Sequence, residues 1–210
     1  MNLPEEATGI VLFAHGSGSS RHSPRNRYVA QVLQSRGIGT LLFDLMTREE
    51  ESVDVFTGKL RFDIPFLTNR LVEATRWILR QPETRNLAVG YFGASTGAAA
   101  ALMAAPEFPD TVAAIVSRGG RPDLAHDSLR AVLAPTLLLV GSRDEPVISM
   151  NRQALAKLRA PVKMLVIVPG ATHLFEEPGK LEEVAQAAAD WFEQYLAAPV
   201  RTTVAATASR

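Results

Sequence analysis

Six short apolar runs recur along the chain: 9–14, 40–44, 87–92, 112–117, 136–140 and 163–168. Each is nearly continuous rather than alternating. Strands buried on both faces of a parallel sheet read this way. Between them the apolar positions change to helical spacing. Ser23-Pro24 supplies an N-cap and a first-turn proline; Val29, Val32 and Leu33 follow, and Gly37 ends the helix. Leu67, Leu71, Ala74 and Ile78 form a second stripe, stopped before Pro82. A third helix follows Ser95 and stops before Pro106, and a shorter one is expected from Asp123 to Val132. Another starts at Ser149 and carries Leu155 and Leu158. The last shows Leu181, Val184, Ala185, Ala188, Phe192 and Tyr195 on one face. The stretch 45–60 is polar and acidic, with Glu49-Glu50-Glu51, and reads as a rim loop. Strands alternating with helices predict an α/β fold: a mostly parallel sheet of about six strands, with helices on both faces. One domain is expected over 1–197. The small, polar residues 198–210 read as a disordered tail.

Composition narrows the function classes. Of 210 residues 47% are hydrophobic, enough for one sizeable core. Lys plus Arg and Asp plus Glu number 22 each, so charge gives no reason to expect a nucleic acid or a membrane as partner. There is no cysteine, which removes disulfides, thiolate metal sites and a cysteine nucleophile. The acidic start, Glu5-Glu6, is unlike a secretory leader, and no run approaches transmembrane length; a cytoplasmic protein is the expectation.

Open α/β sheets bind ligands at the carboxyl ends of their strands, and the chemistry-bearing residues fall there. The third run leads into Gly93-Ala94-Ser95-Thr96-Gly97, which opens an alanine-rich helix. A G-x-S-x-G between strand and helix is a nucleophile elbow: the turn is tight, and Gly93 and Gly97 remove side chains that would collide. Asp144 follows the fifth strand and His173 the sixth. A serine is a poor nucleophile unless a base takes its proton. His173 is the candidate base, and Asp144 would fix its tautomer and stabilise its charged form. The oxyanion would be held by the N–H groups of Thr96 and Ser17, the latter in the loop His15-Gly16-Ser17-Gly18 after the first strand.

Each residue has a plainer reading. The pentapeptide suits any turn that needs small residues. Asp144 is a candidate helix cap, with Glu145 a rival for the catalytic role. A lone histidine is more often structural, but of His15, His22, His126 and His173 only the last follows the final strand. The Gly16/Gly18 loop lacks the Lys-Ser/Thr ending of a P-loop and the third glycine of a dinucleotide fingerprint. Asp44 reads as structural. No His/Asp/Glu set has metal spacing, so neither metal nor cofactor is expected. Arg118, after the fourth strand, is a candidate for holding a substrate carboxylate; the alternative is a surface salt bridge.

These motifs, spread over about residues 9–196, resemble the α/β-hydrolase superfamily, and within it the dienelactone hydrolase-like group of small serine hydrolases. The chain order Ser95, Asp144, His173 is the order of that superfamily. Arg61-Phe62-Asp63 is also typical of the group, without a chemical role read from it. The resemblance implies a minimal, uncapped hydrolase that lacks the two leading strands of the full sheet. Dienelactone hydrolase proper uses a cysteine nucleophile, which this chain does not have. The expected activity is cleavage of small carboxylic esters through an acyl-enzyme on Ser95. The same residues would serve a thioesterase, an amidase or peptidase, or an acyltransferase; a ligand-binding protein on a hydrolase scaffold is the alternative from another class.

Overall fold

The computed structural model describes residues 1–197, so the 198–210 tail lies outside the described residues. Six strands, β1 (Gly9–Ala14), β2 (Gly39–Leu42), β3 (Ala88–Ala94), β4 (Val112–Arg118), β5 (Thr136–Gly141) and β6 (Lys163–Val168), form one sheet in the order β2-β1-β3-β4-β5-β6. Every neighbouring pair is parallel. The order reverses direction at β1, so the crevice between the carboxyl ends of β1 and β3 is the topological switch point.

Five α-helices lie between the strands, α1 (Pro24–Ser35), α2 (Arg48–Thr57), α3 (Ile64–Ile78), α4 (Thr96–Ala104) and α5 (Glu145–Lys157), and α6 (Lys180–Leu196) follows β6. The strands read as unbroken apolar runs because alternate side chains enter two separate cores. Ile10, Leu12, Val89 and Tyr91 pack with Leu67 and Leu71 of α3 and the alanines of α4. Val11, Phe13 and Phe92 pack with Val29 and Leu33 of α1 and Val184, Ala188 and Phe192 of α6. Gly90 of β3 marks how closely α6 lies: a Cβ there would be 2.7 Å from the Phe192 ring. β6 is an edge, where Lys163 and Met164 are exposed. At the other edge Asn2 forms a one-residue antiparallel bridge to Thr40 of β2.

Two expectations are corrected. The 45–60 stretch holds α2, not only a loop. Thr47 and Glu50 make a reciprocal capping box, and Gly58 closes the C-terminus at φ 63°. The helix rests on its ends rather than on an apolar stripe; its one buried residue is Asp54, while Val53, Val55 and Phe56 are exposed. The segment expected as a short helix over 123–132 is a 3-10 helix, Pro122–Ala131, broken at His126 (φ 45°, ψ −123°).

Arg61-Phe62-Asp63 acquires a structural account. The Asp54 carboxylate accepts from the Leu60 amide and from Arg61 Nε, both at 2.6 Å, tying the end of α2 to the turn after it. Asp63 then caps α3 by accepting from the Phe66 amide at 3.0 Å. Asp44 pairs with Arg21, holding the loop after β1 to the end of β2.

Candidate active site

Ser95 sits at φ 50°, ψ −120° between β3 and α4. A non-glycine residue there is strained, and strain of this kind persists only where the surroundings enforce it. Here they do. The Ser95 amide donates to Arg118 O at 3.3 Å, and its carbonyl accepts from the Arg121 amide at 3.0 Å. A Cβ on Gly97 would lie 2.1 Å from the Ala14 carbonyl oxygen, and one on Gly93 would lie 2.4 Å from Ala98 Cα. Only glycine fits either position.

Asp144 and His173 meet beyond the carboxyl ends of β5 and β6. His173 Nδ1 and Asp144 Oδ2 are 2.6 Å apart. Asp144 stands at the N-cap of α5 but makes no side-chain hydrogen bond to the helix. Its carboxylate is committed to the imidazole, which sets aside the capping reading; Glu145 is exposed. The loops carrying the pair interlock. The Arg143 amide donates to Ala171 O at 2.9 Å and the Gly170 amide to Ser142 Oγ at 2.8 Å. Gly119, at φ 51°, leaves room for the histidine; a Cβ there would be 2.9 Å from His173 O.

His173 and Ser95 line one cavity of about 200 Å³, together with Gly16 and Ser17. Among the described residues no hydrogen bond joins Ser95 Oγ to His173. Catalytic hydrogen bonds are often long before substrate binds. A Cβ on Gly16 would lie 3.0 Å from Ser95 Cβ, so the loop after β1 passes directly over the nucleophile candidate. The Ser17 amide donates to the Thr96 hydroxyl at 3.0 Å. His15 is 5% exposed and holds this loop. Its Nε2 accepts from the Leu45 amide at 3.0 Å, so Nδ1 carries the proton of the neutral ring and donates to Gly16 O at 3.0 Å. Burial pushes its pKa below the ordinary histidine value, against the opposing pull of the Gly16 carbonyl, Asp44 and Glu51. Gly18 supplies a positive φ of 70° in the same loop.

Residues 4–198 match the pattern of the dienelactone hydrolase family. The chain belongs to this family. Its fold matches the crystal structure of a dienelactone hydrolase from Anabaena variabilis with a TM-score of 0.90 and 63% identity, covering 92% of this chain and 89% of that one. The esterase Est1E from Butyrivibrio proteoclasticus, at 15% identity and TM-score 0.75, shares the fold over 92% of this chain and 91% of its own. Two curated relatives, both putative phosphoribosyl transferases of Mycobacterium tuberculosis, are 57% identical over 199 residues. That match covers 95% of this chain but 44% of theirs, so the chain spans less than half the length of the curated relatives it matches. The chain has the α/β-hydrolase fold of this family.

Within this dienelactone hydrolase family member, Arg118 is neither on the surface nor salt-bridged among the described residues, which overturns the salt-bridge alternative. It is 7% exposed, lines the Ser95 cavity, and makes one long contact, Nη2 to Asn26 Oδ1 at 3.4 Å. Burial, and then the like charge of Arg25, lower its pKa to about 10. Arg25 is a lining residue that sequence reasoning missed. It is the residue after the first-turn proline of α1, and nothing in the local pattern separates it from an ordinary surface arginine.

Proposed function

We propose that the chain is a serine hydrolase that cleaves small carboxylic esters through an acyl-enzyme on Ser95. The observation that carries this reading is the 2.6 Å contact of His173 with Asp144, in a cavity shared with a serine held at φ 50°. His173 Nε2 takes the Ser95 proton as Oγ attacks the ester carbonyl. The tetrahedral oxyanion is stabilised by the Thr96 amide, at the free N-terminus of α4, and by the Ser17 amide once it leaves the Thr96 hydroxyl. The imidazolium, stabilised by Asp144, protonates the departing alcohol. Water activated by the same histidine then releases the acid and restores Ser95. A cavity of about 200 Å³ favours short acyl groups.

The mycobacterial relatives are named putative phosphoribosyl transferases; that activity is not carried over to this chain in this reading, because the hydrolase family accounts for residues 4–198 here. The test is intact-protein mass after exposure to a fluorophosphonate. One adduct is expected on the wild type and none on Ser95→Ala. An unmodified, folded wild-type protein overturns the reading.

A further inference from the structure

The Ser95 cavity carries more positive charge than ester cleavage requires. Arg25 and Arg118 both line it, and none of its lining residues is acidic. Among the described residues, each arginine has a buried Nε without a hydrogen-bond partner. A buried donor left unsatisfied is costly and calls for an acceptor. Arg25 has one carboxylate, Glu176, which takes Nη1 at 2.9 Å from a largely exposed position. Arg118 has none, only the long contact to Asn26. Two guanidiniums packed in one small site repel each other. An anion between them would relieve both the repulsion and the missing hydrogen bonds.

The donors are too many for a carboxylate. Besides the two arginines, three residues that carry hydroxyls, Ser17, Ser19 and Ser23, line the same cavity. Ser23 caps α1 by accepting from the Asn26 amide at 3.3 Å, which leaves its own proton to give away. A carboxylate presents two oxygens and satisfies one arginine fork. The three terminal oxygens of a phosphate monoester, with close to two negative charges near pH 7, match two forks and a set of hydroxyls. We propose that Arg118 and Arg25 form a phosphate subsite beside Ser95, and that the ester this hydrolase cleaves carries a phosphate monoester group on its acyl or alcohol part. The assignment of the ester rests on the hydrolase reading of Ser95; the phosphate subsite does not.

The position of Arg118 supports a role at the reacting centre. It is the last residue of β4, in register with Ala94, and its own carbonyl holds the Ser95 amide. An anion on its side chain is therefore placed against a rigid part of the elbow.

The experiment is calorimetric titration of inorganic phosphate into the full chain carrying Ser95→Ala, so that no turnover is needed. Saturable binding is expected, at least ten times tighter than binding of acetate. Adding Arg118→Met should weaken it tenfold or more, and adding Arg25→Gln several-fold. Arg25 is partly exposed at the start of α1, so that variant keeps the test decisive if the Met substitution fails to fold. Absence of phosphate binding overturns the subsite, as does unchanged affinity in Arg25→Gln. Acetate binding as tight as phosphate overturns the phosphate assignment in favour of a carboxylate. Failure of the ester reading itself shows separately, as a wild type that takes no fluorophosphonate.

Discussion

The backbone amide of Ser17 is hydrogen-bonded to the side-chain hydroxyl of Thr96, at 3.0 Å and 79 positions apart in the chain. The two residues assigned as oxyanion donors are thus latched to each other. The latch sets the spacing between the loop after β1 and the start of α4. It also satisfies the Ser17 amide. Loss of one oxyanion donor costs about 10²–10³ in kcat. Thr96→Val removes the latch but keeps the amide of residue 96. A kcat loss of about 10-fold or more is expected, below that full cost, with Thr96→Ser close to wild type. Steady-state kinetics on p-nitrophenyl acetate decide it; equal rates for the Val and Ser variants would show that the latch does nothing.

Asp144 and Glu145 are neighbours, but only Asp144 reaches His173. Asp144→Asn should therefore leave the fold intact and cut kcat by about 10³–10⁴, because the amide favours the wrong imidazole tautomer. Glu145→Gln should stay within about twofold, as an exposed change away from the base. A comparable loss in both variants would remove Asp144 from its assigned role.

His15 makes stability pH-dependent. Its folded pKa lies below the value of 6.5 that it recovers on unfolding, so below that pH the unfolded chain binds more protons. Its contribution is complete above about 6.5 and is lost as pH falls toward the folded value. Urea unfolding of the wild type and His15→Gln across this range measures it. The difference between the two should shrink on acidification, and a constant difference would contradict the assigned neutral tautomer.

Asp54 works in a lower window. Burial raises its pKa, but the hydrogen bond from Arg61 and the Leu60 amide outweigh this and leave it below 3.8. The stabilising effect of the Arg61 clamp is full above 3.8 and is lost as pH falls through the lower folded value. Arg61→Leu should lower Tm at neutral pH, and the deficit should close in strong acid. A deficit that persists there would mean that Arg61 acts by packing alone.

Arg118 is a liability to the fold. A buried guanidinium without a counter-ion, lowered to about 10, is destabilising at neutral pH and is relieved only as pH rises past that value. Arg118→Met should raise stability at pH 7 by the order of 1–3 kcal/mol. Chemical denaturation checks this, and a less stable variant would mean that the Asn26 contact outweighs the buried charge.

The sheet and the grouping of the candidate residues at one edge were legible in the sequence for one reason: strands buried on both faces give unbroken apolar runs, and the residues that follow them share one edge. Ser95, Asp144, His173 and the His15 loop all lie at that edge, and Ser95 and His173 line one cavity. Helix α2 was missed because its stability comes from Thr47, Glu50 and Gly58 at its ends, a signal that was present, and not from an apolar face. The break at His126 has no local sequence cause. The burial of Arg118 was invisible, because it depends on which helix covers the end of β4. For the same reason Arg25 could not be paired with it: α1 and β4 are brought together only by the reversal of strand order at β1.

The glycines at 93 and 97 interlock the elbow with β1 and α4 so closely that no other side chain fits at either place. The turn is consequently the part of the crevice least open to redesign: anything larger than hydrogen at either place must displace backbone, whereas the side chains of Ser19 and Leu174 on the cavity wall can be exchanged without touching it.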